Sequence, residues 1–339
     1  MKISVLGSKE LQQVLELPKV IEGVKAAYAL KAEGKTVVWP LVSYEFSNTA
    51  GDMDIRSGGV FGDENVHGLK MLNNFPGNKE NGLPAFSGML MIFDSNTGLP
   101  MGVMDAAYIT CMRTGSAGAI GAQALARNNS ETLFVLGAGN QAAYQIAATL
   151  ITVPAIKKVY IADPLDPDNA VRFAENCSLR MDAEFGIDCG NRVKFMAADD
   201  MEKCVGESDI VITITPSREP VIKKEWVKPG THFSCIGADM EGKEEIDPEI
   251  FRGARVFADD LPQCIRVGEM ELPVKSGVIR KSDIAGEIGQ VLTHQIKGRQ
   301  SDDEITIFDA TGIALLDLVT GKRAIELAEK KSIGTTAEI

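Results

Sequence analysis

Gly137-Ala138-Gly139-Asn140-Gln141-Ala142 forms a GxGxxA run between the apolar stretch TLFVL and the small-residue stretch Ala142–Leu150. At such a junction the first glycine permits a tight turn and the second lets backbone approach a pyrophosphate. The small third residue lets helix pack on strand. The helix start then turns N–H groups and the positive end of its dipole toward phosphate. The next strand-like stretch, KKVYIAD, ends in Asp163, 21 residues after Ala142. A carboxylate there accepts hydrogen bonds from ribose hydroxyls and repels a 2′-phosphate, which favours NAD over NADP. The competing reading is a structural strand–turn–helix in which Asp163 only caps a helix.

Three more charged residues stand where chemistry is possible. Lys70 lies in HGLKMLNNFPGN, Arg113 in CMRTGSAG, and Asp239 in CIGADMEGKEEID. Arg113 is the only charge between Asp105 and Arg127, amid small apolar residues, so burial or ligand contact is expected of it. Asp239 follows a sheet strand, and parallel sheets bind ligands beyond their carboxyl ends. Each also has a plain structural reading: a solvated strand lysine, a surface helix charge, and an aspartate that caps a turn.

The elements that must position these residues fall into two styles. From Glu131 onward, near-continuous apolar strands alternate with helices: TLFVLG, a helix over 141–152, KKVYIAD, a helix over 168–185, RVKFMA, SDIVITIT, GTHFSCIGAD and GARVFADD. That pattern predicts a parallel sheet covered on both faces, of Rossmann type. Residues 1–104 instead show a strand, MKISVLG, a helix over 17–33, and strands TVVWPLVSYEF, VHGLKMLNNF and AFSGMLMIFD joined by glycine-rich turns. That predicts an α+β domain with an antiparallel sheet. MDAAYITCMRTGSAGAIGAQALARN reads as a long Ala- and Gly-rich helix into the nucleotide domain, and GIALLDLVTGKRAIELAEKK as an amphipathic helix that packs back on the first domain. The expected organisation is a substrate and dimerisation domain over 1–118, completed by 313–339, and a dinucleotide domain over 119–312. So short an antiparallel sheet cannot cover both its faces, which predicts a twofold homodimer.

Composition narrows the partners. The 339 residues carry a net charge of −12 and no Lys/Arg block, which argues against nucleic acid and anionic membrane. No charge occurs between Thr132 and Ile156, long enough to raise a membrane span. Gly137, Gly139, Asn140, Gln141, Gln145 and Pro154 interrupt it, so it reads as strand, turn and helix. Six scattered cysteines without a CxxC pair, and a start without a signal-peptide core, fit reduced thiols in the cytoplasm. The three histidines, His67, His232 and His294, show no metal-ligand spacing, so no metal site is expected.

Taken together, KMLNNFPGNKENGLPAFSGMLMIFDSNTGLPMGVMDAAYITCMRTGSAGA, LGAGNQA, GADMEGKEEID and FDATGIALLDL resemble the ornithine cyclodeaminase/μ-crystallin family, over nearly the whole chain and in family order. The resemblance implies a dimer built through the split first domain, a Rossmann domain binding NAD(P), and a small amino or imino acid as substrate. It implies that Lys70 and Arg113 hold the substrate carboxylate and that Asp239 is the acid/base; Lys70 is a second catalytic candidate, since a lysine near the site would favour the base role of Asp239. Lys243 would contact the nicotinamide side of the cofactor, Thr215 the cofactor at a strand end, and Thr311 and Gly312 the loop closing over the nicotinamide. Ser87 would replace a substrate-contacting threonine. One departure stands out: the family places an arginine just after the proline of the segment matching VVWPLVSYEF, where this chain has Leu41 and Val42. Either Arg56 reaches in as a carboxylate ligand, or Lys70 and Arg113 hold the acid alone.

The expected function is hydride transfer at the Cα–N bond by an NAD(P)-dependent oxidoreductase or cyclodeaminase. The alternative is a non-catalytic NAD(P)H and small-ligand binding protein of the μ-crystallin type.

Overall fold

The structure, a computed structural model, describes residues 1–49 and 51–339. The chain forms two compact units, Met1–Arg113 with Ile313–Ile339, and Thr114–Gly312. No helix among the described residues is long and apolar enough to cross a membrane.

The first unit contains β1 (Lys2–Leu6), α1 (Ser8–Val14), α2 (Leu17–Ala32), β2 (Thr36–Val38), β3 (Val42–Phe46), β4 (Gly51–Val60), β5 (Val66–Asn74), β6 (Phe86–Asp94) and β7 (Pro100–Asp105). The helix α3 (Ala106–Leu125) begins there. The sheet has eight strands in the order β18-β1-β7-β6-β5-β4-β2, with β3 also on β4; β18 (Thr335–Glu338) ends the chain. Every pair is antiparallel except β1 with β7. The expected single strand TVVWPLVSYEF is broken into β2 and β3, and Pro40 lies in the break. Proline has no N–H to give to a ladder.

Period-two alternation divides this sheet into two faces. One is covered by α10 (Ala314–Lys331) and carries the core, with Leu90, Ile92 and Met104 buried. Gly68 lets α10 approach it closely: a Cβ there would lie 2.9 Å from Leu318. Its register partner Gly58 instead makes room for the next strand, β2, since a Cβ on Gly58 would lie 2.4 Å from the Val37 carbonyl oxygen. The opposite face exposes Val42, Tyr44, Phe46, Met71 and Met89.

The second unit contains the rest of α3, β8 (Thr132–Leu136), α4 (Asn140–Thr152), β9 (Lys158–Ala162), α5 (Pro167–Phe185), β10 (Lys194–Ala197), α6 (Met201–Glu207), β11 (Ile210–Thr213), β12 (Arg218–Ile222), β13 (His232–Cys235) and β14 (Glu244–Ile246). Then follow β15 (Arg255–Ala258), α7 (Leu261–Val267), α8 (Glu271–Lys275), β16 (Ile284–Glu287), α9 (Ile288–Leu292) and β17 (Thr306–Asp309). Eight strands form one parallel sheet in the order β10-β9-β8-β11-β13-β17-β15-β16, while β12 and β14 pair separately. This is a Rossmann-type sheet, and its strand order reverses between β8 and β11. The Ala- and Gly-rich composition of α3 is a packing requirement. A Cβ on Gly115 would fall 2.6 Å from the Tyr144 carbonyl oxygen, on Gly118 2.2 Å from Gln145, and on Gly121 2.3 Å from Phe308. Phe134, Phe233, Phe257 and Phe308 fill the sheet's core.

Candidate active site

At the exit of β8 the two glycines do different work. Gly137 has φ 113°, a conformation L side chains rarely adopt, and its N–H donates to the Ala162 carbonyl at 2.7 Å. Gly139 is the N-cap of α4 with φ −84°, and a Cβ built there would meet nothing within 4 Å. The second glycine is therefore not needed for packing: the space above it is open. Asn140 and Gln141 begin the helix, whose first N–H groups lack intrahelical acceptors. Asp163 follows β9. Its Oδ1 accepts from the N–H groups of Leu165 and Asp166, both at 3.3 Å. Its Oδ2 accepts from Asn169 Nδ2 at 2.9 Å, and that amide also donates to the Ala138 carbonyl at 3.3 Å. The acid is thus tied to the glycine turn. It does not cap α5, which Asp166 does.

Three further loops leave the same sheet at strand ends. Thr215 follows β11, and its Cγ2 lies 3.2 Å from where a Gly137 Cβ would stand. After β13 the loop carries Asp239 and Lys243 as an ion pair at 2.7 Å, with Asp239 a third exposed. After β17, Thr311 and Gly312 are held by groups that local sequence does not connect to them. Asp259 accepts the Gly312 N–H at 2.7 Å and the Thr311 hydroxyl at 3.2 Å. Gln263 Nε2 donates to Thr311 Oγ1 and the Gly312 carbonyl, both at 2.9 Å. Burial pushes the Asp259 carboxyl above its ordinary value.

In the first unit Lys70 is fully buried in β5. Its ammonium donates to Asp317 Oδ1 at 2.8 Å and to Thr110 Oγ1 at 3.0 Å. Arg113 Nε donates to the same Asp317 oxygen at 3.1 Å. Two cations thus share one carboxylate. The outer Nη1 and Nη2 edge of Arg113 makes no hydrogen bond among the described residues. Arg56, register partner of Lys70 on β4, is buried beside it and pairs with Asp54 at 3.3 Å. Burial and the neighbouring Arg113 bring the Lys70 pKa down to about 7, against the pull of Asp317. Burial raises the Asp317 carboxyl, but Arg113 and Lys70 outweigh it and leave it below its usual range.

The structure therefore brings Lys70, Arg113 and Arg56 together. It pairs Asp239 with Lys243, and it links Asp163 to the glycine turn. Ser87 is not brought to the clamp. It pairs with Asn73, three residues along from Lys70, so it points to the opposite face, where it is exposed. Asp317 and Thr110 escaped the sequence reading, although Asp317 carries a usable signal: it is the only charge between Asp309 and Lys322.

The turn at Gly137–Gly139, the helix start and the tethered acid fit a dinucleotide. The profile of the ornithine cyclodeaminase/mu-crystallin family matches residues 2–332. The chain belongs to that family. Within it, the chain is 37% identical to the alanine dehydrogenase of Archaeoglobus fulgidus over 335 residues, 99% of this chain and 98% of the other. It is 30% identical to the iminosuccinate reductase of Paracoccus denitrificans over 99% of each chain. Among solved structures, an archaeal alanine dehydrogenase dimer with bound NAD superposes with a TM-score of 0.91 at 35% identity, covering 100% of both chains. The Delta(1)-pyrroline-2-carboxylate reductase of Thermococcus litoralis, in complex with NADH and L-proline, gives 0.89 at 29% identity over 98% of this chain and 99% of that one.

Proposed function

We propose that this protein is an NAD-dependent oxidoreductase acting on the Cα–N bond of an amino or imino acid. The observation that carries this reading is the buried pair of cations, Lys70 and Arg113, on the single carboxylate of Asp317. With Lys70 protonated the pair has one positive charge in excess, and Arg113 has an unused guanidinium edge. A substrate carboxylate supplies the missing charge and matches that fork. Arg56, buried beside them and paired with Asp54, supports the reading in which it stands in for the arginine missing at Leu41 and Val42.

When bound, the nicotinamide supplies the hydride acceptor or donor. The chain's own residues do the rest. Lys70 and Arg113 bind the acid group and so fix the orientation of Cα. In the oxidative direction Asp239 takes a proton from the substrate ammonium and passes it to solvent, so that it is again an anion when hydride leaves and its charge stabilises the cationic iminium; in the reductive direction the proton runs back by the same route. Lys243 holds Asp239 in place through the 2.7 Å pair. Water or an internal amine attacking the iminium is activated by the same carboxylate. Asp163 accepts the ribose hydroxyls and disfavours NADP by repulsion. Dimerisation buries the apolar outer face of the first unit's sheet, and the archaeal relative is itself a dimer. None of the six cysteines is in a disulfide, which supports a reducing, cytoplasmic setting.

The test is a panel of amino acids, and of keto acids with amines, followed by NADH absorbance in wild type and Asp239→Asn. Wild-type turnover on a member of the panel is expected. It should fall at least about 10²-fold in Asp239→Asn, with the fold and NADH binding retained. NADH binding with no turnover across the panel would favour the non-catalytic reading.

A further inference from the structure

Glu245 lies in β14, two residues past Lys243, and is fully buried. Its two oxygens serve two different strand exits. Oε1 accepts the Thr215 N–H at 2.5 Å and the Thr215 hydroxyl at 2.7 Å. Oε2 accepts the Gly237 N–H at 3.1 Å. β11 and β13 are neighbours in the sheet, with Thr213 in register with Cys235, so this carboxylate bridges the exits of adjacent strands. The approach leaves no room for a side chain: a Cβ on Gly237 would fall 2.3 Å from Glu245 Oε2 and 2.4 Å from the Thr215 carbonyl oxygen.

The bridge is itself anchored. Glu269 Oε1 accepts the N–H groups of Glu245 and Ile246 at 2.7 and 2.8 Å. The far end of the Asp239 loop is held by Glu271, whose Oε2 accepts the Gly242 N–H at 2.9 Å. A buried carboxylate is a costly way to fill a core, and apolar residues of similar volume generally serve as well or better. Its use here calls for a reason other than packing.

We propose that Glu245 is a positioning residue for the reaction, its carboxylate stapling the exits of β11 and β13 so that Thr215 and Asp239 are presented together; this rests on the role of Asp239 proposed above. The Thr215 N–H and hydroxyl and the Gly237 N–H all donate to the two oxygens, which suits the ionised form; the titratable groups beside it are the Glu269 carboxyl and the Cys235 thiol. An amide in its place would turn one acceptor into a donor facing another N–H. Burial raises the Glu245 carboxyl to about 7, opposed by the hydrogen bonds from Thr215 and Gly237. Burial and the neighbouring charge of Glu245 raise the Glu269 carboxyl well above its ordinary value, which favours a neutral Glu269 beside an ionised Glu245.

The experiment compares wild type, E245Q and G237A by steady-state kinetics across the neutral pH range, with thermal midpoints and NADH titrations alongside. In E245Q, kcat falls roughly tenfold or more while KM for the amino acid stays within about twofold, since the carboxylate clamp lies in the other unit. The wild-type kcat drops as pH falls through about 7, and E245Q lacks that limb. G237A, which pushes the staple open by its Cβ alone, shows the same split; if E245Q does not fold, G237A carries the test. Wild-type kcat in folded E245Q or G237A, beside a dead D239N, overturns the staple and leaves the reaction intact. Wild-type kcat in D239N removes the reading on which the staple rests.

Discussion

Asp317→Asn is the sharpest probe of the cation cluster. The side chain is fully buried and its Oδ1 serves both Lys70 and Arg113. Asparagine keeps the shape and removes the charge. Breaking a buried pair by deleting one partner costs about 3–5 kcal/mol, because the opposite charge is left uncompensated. At roughly 2–4 °C per kcal/mol for a domain of this size class, the thermal midpoint should drop by roughly 6–20 °C. The drop depends on pH with a definite sign. The Lys70 pKa is depressed to about 7 in the folded protein from 10.5, so the folded state sheds its proton while the unfolded chain keeps it. Wild-type stability from this group therefore rises as pH climbs from about 7 toward 10.5. Without Asp317 the folded Lys70 pKa falls further, and that gain begins at lower pH. The difference between wild type and variant is then largest on the acid side and shrinks as pH rises through about 7, leaving the Arg113 contribution. Differential scanning calorimetry at about pH 6 and about pH 9 reads this directly. A drop under about 2 °C, or one equally large at both pH values, would refute the picture of two buried cations on one carboxylate.

The glycine turn separates fold from binding: Gly139→Val, entering open space but a poorer N-cap, should lower the thermal midpoint by only about a few degrees while weakening NADH at least about tenfold, by fluorescence titration. Gly137→Ala, forced to φ 113°, should instead lose about 1–3 kcal/mol of stability in denaturant unfolding. Asp163→Ala combined with Leu165→Arg, at a side chain 92% exposed, should shift the NADH/NADPH preference toward NADPH. Tighter NADPH than NADH binding by the wild type would contradict the role given to Asp163. Met89→Glu, 58% exposed on the outer sheet face, should convert a dimer to a monomer in light scattering at micromolar protein. A dimer that survives the charge would place the interface elsewhere.

What the sequence determined by itself was local chemistry. A strand, a turn demanding positive φ and a helix start occupy one contiguous run, so the Gly137–Gly139 turn is legible without the rest of the chain. Alternating strand and helix periods likewise announce the parallel sheet, because each element's burial pattern is written in its own residues. Arg113 is legible as a buried charge, since nothing around it is polar enough to belong on a surface. Tertiary structure decided what lies across from what. The register Arg56↔Lys70 brings Arg56 to the clamp, and the register Asn73↔Ser87 turns Ser87 to the other face. A one-residue slip would reverse either outcome, and turn lengths alone do not specify it. Asp317 reaches Lys70 from 247 residues away in sequence, across the face on which α10 packs closely over Gly68. The parallel pairing of β1 with β7 and the joining of Thr215 to Gly237 through Glu245 are of the same kind. Each depends on two distant segments closing on one another, and the free energy that selects such a contact belongs to the packed whole rather than to either segment.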